Sequence, residues 1–186
     1  MTRRNDKRSR LISAADKLFY EQGVNITTLA NIAQSANIPL GNVYYYFKSK
    51  ESIILAVIDN RHNMMQEQFK KLNTISTGKE RLISFINQNS SDYNKTAFFG
   101  DTLGALCQEL GKQTGEIAEA ASELMQETVS WCEKQFITLG KGNQARYLAF
   151  NLISSLQGMS LLALALKDAG CIPEHAKHLI QSLETT

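Results

Sequence analysis

Apolar residues recur at intervals of three and four positions along most of this chain, and that spacing predicts helices. Within residues 8–22 the apolar positions share one helical face, which carries Leu11, Ile12, Ala15, Leu18 and Phe19. No run of alternating polar and apolar residues is long enough to predict a strand. The pattern therefore predicts an all-α fold.

Residues that favour helix ends divide this pattern into short elements near the N-terminus. Gly23 is typical of the C-terminal cap of a first helix, and Thr28 is typical of the N-cap of a second. Pro39 fits the first turn of a very short third helix over about residues 39–46, because a first-turn N–H needs no partner within the helix. Ser49 favours the start of a longer fourth helix.

Longer helices are predicted in the rest of the chain. Thr77-Gly-Lys-Glu80 has the pattern of a capping box, in which the two side chains satisfy N–H groups at a helix start. With the glycines and Pro173 as boundaries, the predicted helices cover about residues 77–89, 101–111, 114–139, 143–169 and 173–184.

The predicted helix of residues 143–169 contains the most apolar stretch. Residues 147–166 carry no charge over twenty positions, a length that is sufficient to span a bilayer. Asn151 and Gly158 belong to a small and polar stripe on one face, which favours a buried helix of a soluble protein over a membrane span. A chain of this size rarely buries one helix on all sides. We therefore expect a homodimer through the last two helices, 143–169 and 173–184, and no membrane.

The charge of the chain is divided unevenly along its length. Its 186 residues, 43% apolar and 20% charged, suffice for one or two domains, and the formal net charge is +2. Residues 1–50 hold eight Lys or Arg and three Asp or Glu, a net +5, whereas residues 51–186 have a net −3. A basic N-terminal part indicates a polyanionic partner, either nucleic acid or an anionic membrane surface, unless the surface is merely uneven.

Three positions in the second and third helices have the spacing of a helix-turn-helix. Ala33 is small enough to lie where two helices cross, Asn37 is able to adopt the left-handed conformation of the turn, and Val43 faces back into the core. In such a motif the second helix enters the major groove of DNA. Together with the basic charge, this spacing favours DNA over a membrane surface.

The chemistry of the side chains in and before the third helix suggests individual DNA contacts. Hydroxyls at a helix N-terminus suit phosphates, an exposed Asn suits the edge of adenine, and tyrosines suit phosphate, sugar or thymine methyl groups. The predicted contacts are Thr27, Thr28, Gly41, Asn42, Tyr44, Tyr45 and Tyr46. One of the three tyrosines is expected to face inward, and Phe47 is assigned to the core. The basic arm is either a DNA-backbone contact or a solvated tail, and it comprises Arg3, Arg4, Lys7, Arg8 and Arg10.

The same residues resemble the tetracycline-repressor (TetR) family of bacterial transcriptional regulators over about residues 8–58. The resemblance rests on Ile12-x-x-Ala15-x-x-x-Phe19-x-x-x-Gly23, on Thr28-x-x-x-Ile32-Ala33 and on Gly41-Asn42-Val43-Tyr44-Tyr45-Tyr46-Phe47-x-x-Lys50-Glu51. It implies an N-terminal three-helix DNA-binding domain, residues 1–48, and a helical ligand-binding and dimerisation domain, residues 49–186. It also implies that Tyr44 and Lys50 hold the DNA backbone. Asn37 stands where the family usually has glycine, and Pro39 and Leu40 stand where polar residues often begin the recognition helix.

The C-terminal part carries weaker signals for a ligand. The stretch from Phe99 to Leu110 faintly resembles a ligand-domain segment of family members that sense xenobiotics or electrophiles, although Asp101 stands where those members often have cysteine. Ligand cavities are largely apolar with few polar anchors. The candidate ligand residues are Phe98, Cys107, Trp131, Asn151 and Ser155, with Gln157 as a further polar anchor.

The sequence gives little support for other classes of function. Cys107, Cys132 and Cys171 form no CxxC pair, which favours a reducing cytoplasm over a disulfide framework. His175 and His178 lack a further ligand for a metal site. With no recognisable nucleophile and base, phosphate loop or cofactor motif, we predict no enzyme and no cofactor. The predicted function is a repressor released from a palindromic operator by a small molecule. The alternatives are a constitutive DNA-binding factor without an inducer and a thiol-based redox sensor through Cys107.

Overall fold

A computed structural model describes residues 3–184 of the protein, with side chains from residue 6, and most of these residues are helical. The α-helices are α1 (Arg3–Gln22), α2 (Leu29–Ser35), α3 (Leu40–Tyr46), α4 (Lys50–Asn73), α5 (Gly78–Asn89), α6 (Tyr93–Phe99), α7 (Thr102–Leu110), α8 (Glu116–Thr138), α9 (Ala145–Leu166) and α10 (Cys171–Glu184). A single 3₁₀ turn, Gly142–Gln144, precedes α9. No strand occurs in residues 3–184, so the predicted all-α fold is confirmed.

The helices form two compact units. The first comprises Met1–Met65 and Ala105–Glu123, and the second comprises Gln66–Gly104 and Leu124–Thr186. Helices α4, α7 and α8 therefore contribute residues to both units. The predicted functional boundary after residue 48 stays a prediction, since the compact units divide the chain at other positions.

The first unit is built around the apolar face that the sequence predicts for α1. Leu11, Ala15 and Phe19 are buried there, together with Ile32 of α2 and Val43 of α3. An ion pair fastens α4 to α1, because Nε of Arg61 lies 2.5 Å from Oδ1 of Asp16. The result is a packed base that leaves the outer faces of α2 and α3 to the solvent.

The core of the second unit contains a cluster of three aromatic rings. Trp131 of α8 stacks on Phe69 with 4.9 Å between the ring centroids and lies 5.4 Å from Phe85. The indole N–H donates to Oδ1 of Asn73 at 3.1 Å, so the buried polar atom of Trp131 has a partner. Helix α9 packs against both α6 and α10, and α10 also packs against α5.

Several helix ends differ from those expected. Helix α9 ends at Leu166, because Lys167 takes the left-handed conformation (φ 56°), and it does not continue to Gly170 as predicted. Pro173 lies inside the first turn of α10, which begins at Cys171, and α6 was not predicted at all. Helix α1 extends back to Arg3, so the basic arm is helical and not a disordered tail, and its contact with the DNA backbone stays a prediction.

Gly142–Leu166 is long and apolar enough to cross a membrane by length and composition alone, with a mean hydropathy of 1.5. A core helix of a soluble protein passes the same test, and 39% of the most apolar window is buried within the fold. This helix is therefore weak evidence for a membrane span.

Candidate nucleic-acid interface

Helix α2 begins with a reciprocal capping box. The Thr28 hydroxyl accepts the N–H of Asn31 at 3.1 Å, and Oδ1 of Asn31 accepts the N–H of Thr28 at 2.9 Å. Both bonds satisfy N–H groups that have no partner within a helix. Thr28 is thus an N-cap, as the sequence predicts, and it remains exposed at the start of the motif.

The turn between α2 and α3 has the conformation that the spacing predicts. Asn37 adopts a φ of 52°, in the left-handed region, while the N–H of Ile38 donates to the carbonyl of Ala33 at 2.9 Å. Ala33 is buried where the two helices meet. These contacts close the turn and fix α3 against α2.

Arg10 also belongs to this turn. Its Nη2 donates to the carbonyl oxygen of Ala36 at 2.5 Å and lies 3.5 Å from that of Asn37. A positive charge at a helix C-terminus is favourable because the last carbonyls lack partners within the helix. Arg10, predicted only as part of the basic arm, therefore also caps the C-terminus of α2, and no local sequence pattern indicates this role.

Helix α3 buries one side and exposes the other. Val43 is fully buried, and Phe47, at the end of the helix, is also in the core. Tyr44 is 49% exposed and Tyr45 59% exposed. Gly41 and Asn42 are exposed as well, and a Cβ added at Gly41 would meet no atom within 4 Å. A row of polar and aromatic groups therefore faces the solvent on a firmly anchored helix.

Tyr46 is the partly inward member of the three tyrosines. It is half-buried, and its ring meets the ring of Tyr45 edge to face with 5.1 Å between the centroids. This contact orients both rings. Tyr46 therefore packs partly against the protein, while Tyr44 and Tyr45 stay accessible.

Lys50, at the start of α4, lies beside the turn between α1 and α2. Its Nζ donates to the carbonyl of Asn25 at 3.0 Å. An ammonium group has three N–H donors, so this bond is compatible with a further contact to a phosphate. The bond holds the ammonium group next to the segment that leads into α2.

The prediction that Thr27 contacts DNA is wrong. The side chain is fully buried, and its hydroxyl donates to the carbonyl of Gly23 at 2.7 Å and accepts from Nε2 of Gln22 at 3.0 Å. The hydroxyl stabilises the turn that follows α1 and is not accessible to a ligand. Of the two adjacent threonines, only Thr28 faces outward.

The basic arm is the first part of α1. The guanidinium of Arg8 lies 5.2 Å from the centre of the Phe47 ring, and Lys7 is exposed. The side chains of Arg3 and Arg4 lie outside the described residues. At least two arm residues, Arg8 and Arg10, therefore contact the helix-turn-helix itself.

The residues predicted to bind a ligand do not form one described cavity. Trp131 is part of the buried aromatic cluster, and Asn151 is exposed. Phe98 is exposed beside Lys167, whose Nζ lies 5.6 Å from the ring centre. Cys107 belongs to the first unit, where its Sγ lies 3.2 Å from the carbonyl oxygen of Ala121. Residue type alone predicts these positions, whereas contacts with distant parts of the chain determine their environments.

Ser155 lines an open groove of about 480 Å³ between α9 and α10. The lining is mostly apolar and comprises Ser155, Gly158, Met159, Leu162, Leu166, Cys171, Glu174, His175 and His178. Burial and the nearby Asp168 raise the pKa of the Cys171 thiol, so this thiol stays neutral near pH 7. Among the described residues, no group of three or more His, Cys, Asp or Glu side chains is arranged to hold a metal ion.

Comparisons with known proteins point to one family. The sequence model for "Bacterial regulatory proteins, tetR family" matches residues 11–57. The chain is 39% identical over 57 residues to the transcriptional regulator TtgR of Pseudomonas putida. The aligned residues cover 31% of this chain and 27% of TtgR. The match thus spans about a quarter of that relative's length.

Solved structures share the fold over almost the whole chain. A TetR transcriptional regulator from Chloroflexus aurantiacus superposes with a TM-score of 0.85 at 21% identity, covering 99% of this chain and 97% of that one. A transcriptional regulator from Saccharomonospora viridis, solved in complex with choline, has a TM-score of 0.81 at 19% identity, covering 97% and 96%. At these identities the likeness shows the fold.

Proposed function

Because this chain belongs to the TetR family of bacterial regulators, we propose that it is a dimeric repressor that leaves its DNA operator when a small molecule binds. The observation that carries the proposal is the outer face of α3. Exposed Asn42, Tyr44 and Tyr45 are held there by Val43 and Phe47 in the core behind them. An α-helix that presents polar and aromatic groups from a fixed base suits the major groove.

Each exposed group of this face has a distinct task. The Asn42 amide pairs with the edge of an adenine and supplies sequence preference, while Gly41 leaves room for close approach. The hydroxyls of Tyr44 and Tyr45, with the exposed part of Tyr46, contact the DNA backbone. Thr28, at the start of α2, and Lys50, at the start of α4, contact phosphates.

The dimer forms through the faces of α9 and α10. On α9, Leu162 is 57% exposed and Leu166 is 70% exposed, and both line the groove against α10. An apolar patch of this kind is typical of a surface that a second protein covers. A second copy related by a twofold axis would bury this patch, and a twofold dimer of such motifs reads half-sites about one helical turn of DNA, roughly 34 Å, or a multiple of it apart.

The effector is a small molecule of unidentified class. A protein of the same fold has been solved with choline, which supports a small-molecule site in this chain. Ser155 lies in the groove proposed for the dimer, so it is a poor candidate for effector contact if that dimer forms. The thiol-sensor alternative has less support, because the Cys107 sulfur lies against the carbonyl of Ala121.

Retention of genomic DNA fragments tests DNA recognition. The purified protein is expected to retain a few fragments that share a twofold-repeated sequence, with an affinity that falls steeply with salt. Tyr44→Ala should weaken binding to every retained fragment about tenfold through loss of a backbone contact. Tyr93→Ala removes an exposed tyrosine of the second unit and should change nothing. Equal retention by wild type and Tyr44→Ala would refute the assignment.

Sedimentation of charged variants tests the dimer. Leu162→Glu would place a carboxylate in the proposed interface, so the protein should sediment as a monomer and bind the repeated duplex more weakly. Ile137→Glu alters an equally exposed residue on α8 and should leave the dimer intact. A wild-type protein that is monomeric at micromolar concentration would exclude this arrangement.

A further inference from the structure

One carboxylate outside the helix-turn-helix holds the turn between α1 and α2. Glu109 lies near the end of α7, and its Oε2 accepts the N–H of Val24 at 2.8 Å. Its Oε1 accepts the N–H of Asn25 at 2.6 Å. Two successive backbone donors thus share one carboxylate, and hydrogen bonds to an ionised acceptor are stronger than neutral ones.

The fit at this turn is close. A Cβ added at Gly23 would lie 3.2 Å from Oε2 of Glu109, and Gly23 has a φ of 92°. Val24 is almost fully buried, and the Glu109 carboxylate supplies the partner that its backbone N–H requires. The carboxylate therefore fixes the peptide units of both Val24 and Asn25.

Two of the proposed DNA contacts adjoin the same turn. The carbonyl of Asn25 accepts the ammonium group of Lys50 at 3.0 Å, so the residue is held by Glu109 through its N–H and by Lys50 through its C=O. Three residues later the chain reaches Thr28, the N-cap of α2. A shift of the turn would move the Lys50 ammonium and the start of α2 together.

Charge alone predicts the opposite effect of Glu109 on DNA binding. A carboxylate on the DNA-binding unit repels phosphates, so its removal should strengthen binding if it acts only through charge. A carboxylate that positions the turn should instead weaken binding when it is removed. The sign of the change therefore separates the two roles.

We propose that Glu109 is a positioning residue for DNA binding, because its carboxylate fixes the α1–α2 turn so that Lys50 and Thr28 meet phosphates while α3 lies in the groove. This inference rests on the proposed function. Glu109 lies beyond residues 11–57, the segment matched by the family's sequence model. The geometry of the DNA-reading helices is thus set in part by α7.

Glu109→Gln tests the proposal, with Glu123→Gln as its matched control. Both variants remove one negative charge from the same unit, and Glu123 is exposed. An amide accepts one of the two N–H groups through its oxygen and turns an N–H toward the other. Glu109→Gln should weaken duplex binding about tenfold, whereas Glu123→Gln should leave it equal or slightly tighter.

Two further readouts separate positioning from general loss of structure. The slope of log affinity against log salt should become shallower by about one for Glu109→Gln, as expected for one lost phosphate contact. Hydrogen exchange at Val24 and Asn25 should accelerate, while the amides of α1 and α3 keep their wild-type rates. Glu109→Asp, which keeps the charge on a shorter side chain, should restore part of the affinity.

Three results would overturn the proposal. Equal affinities of Glu109→Gln and Glu123→Gln for the duplex would show that the Glu109 carboxylate does not position the α1–α2 turn for DNA binding. Faster exchange throughout α1 to α4 would show that it serves folding in general, and a wild-type salt slope with weaker binding would exclude the phosphate contact. Failure of the wild-type protein to retain any duplex would instead refute the proposed function, and this role with it.

Discussion

The left-handed turn residue of the helix-turn-helix allows a quantitative test. Asn37 holds a φ of 52° and its side chain is exposed, so a substitution there mainly changes the preference of the backbone. For a residue other than glycine or asparagine this conformation is unfavourable by about 1–2 kcal/mol, and for asparagine it is less unfavourable. Asn37→Ala should therefore lower the free energy of unfolding by about 1 kcal/mol, or Tm by about 2–4 °C for a chain of this length.

Glycine at the same position separates conformation from side-chain chemistry. Asn37→Gly removes the conformational strain of the positive φ, which stabilises the folded state. Glycine also raises the conformational entropy of the unfolded chain, which lowers stability by about 0.4–1 kcal/mol, so the variant should stay close to the wild type in stability. Ser35→Ala, an exposed change in right-handed α2, is the control and should shift stability by less than about 0.5 kcal/mol. Urea denaturation followed by circular dichroism measures all three. Equal stability of Asn37→Ala and Asn37→Gly would refute the reasoning.

The remaining predictions concern buried positions. Thr27→Val keeps the shape of the side chain but removes two hydrogen bonds, so it should lower the free energy of unfolding by about 1–2 kcal/mol. The salt dependence of DNA binding should stay unchanged. A changed salt dependence at wild-type stability would support a DNA contact by Thr27 after all. Gly78→Ala places a Cβ 2.8 Å from the backbone oxygen of Gln135, so thermal denaturation should show that the free energy of unfolding falls by about 1–3 kcal/mol. Gly41→Ala places its Cβ in open space and should not lower the free energy of unfolding. Burial raises the pKa of the Cys132 thiol from 9.0 to about 12, so the unfolded thiol ionises first and unfolding free energy should fall between pH 9 and 12, by at most about 1.4 kcal/mol per pH unit. Cys132→Ala should lack that part of the alkaline slope, and an identical slope would contradict the buried thiol.

Local patterns were sufficient to predict the elements that local interactions determine. The capping box of Thr77 and Glu80 begins α5 where expected, because both partners lie within one helical turn. The spacing of Ala33, Asn37 and Val43 likewise predicted the motif, since each requirement concerns volume or φ at one position. Such signals are visible in the sequence without knowledge of the tertiary fold.

Contacts between distant segments could not be predicted in this way. The carboxylate of Glu109 meets Val24 across 85 positions, and Arg10 reaches Ala36 across 26. Nothing near Thr27 distinguishes it from Thr28, and only the packing of the turn decides which hydroxyl is buried. Lys167 follows α9 in the left-handed conformation, which favours glycine, so its residue type does not indicate that the helix ends there.

The most direct test of the central claim is hydrogen exchange of the wild-type protein with and without a duplex that it retains. We predict that binding slows exchange in the segment of residues 40–46 and at the start of α2. Protection confined to α9 and α10, with unchanged exchange across residues 40–46, would contradict it.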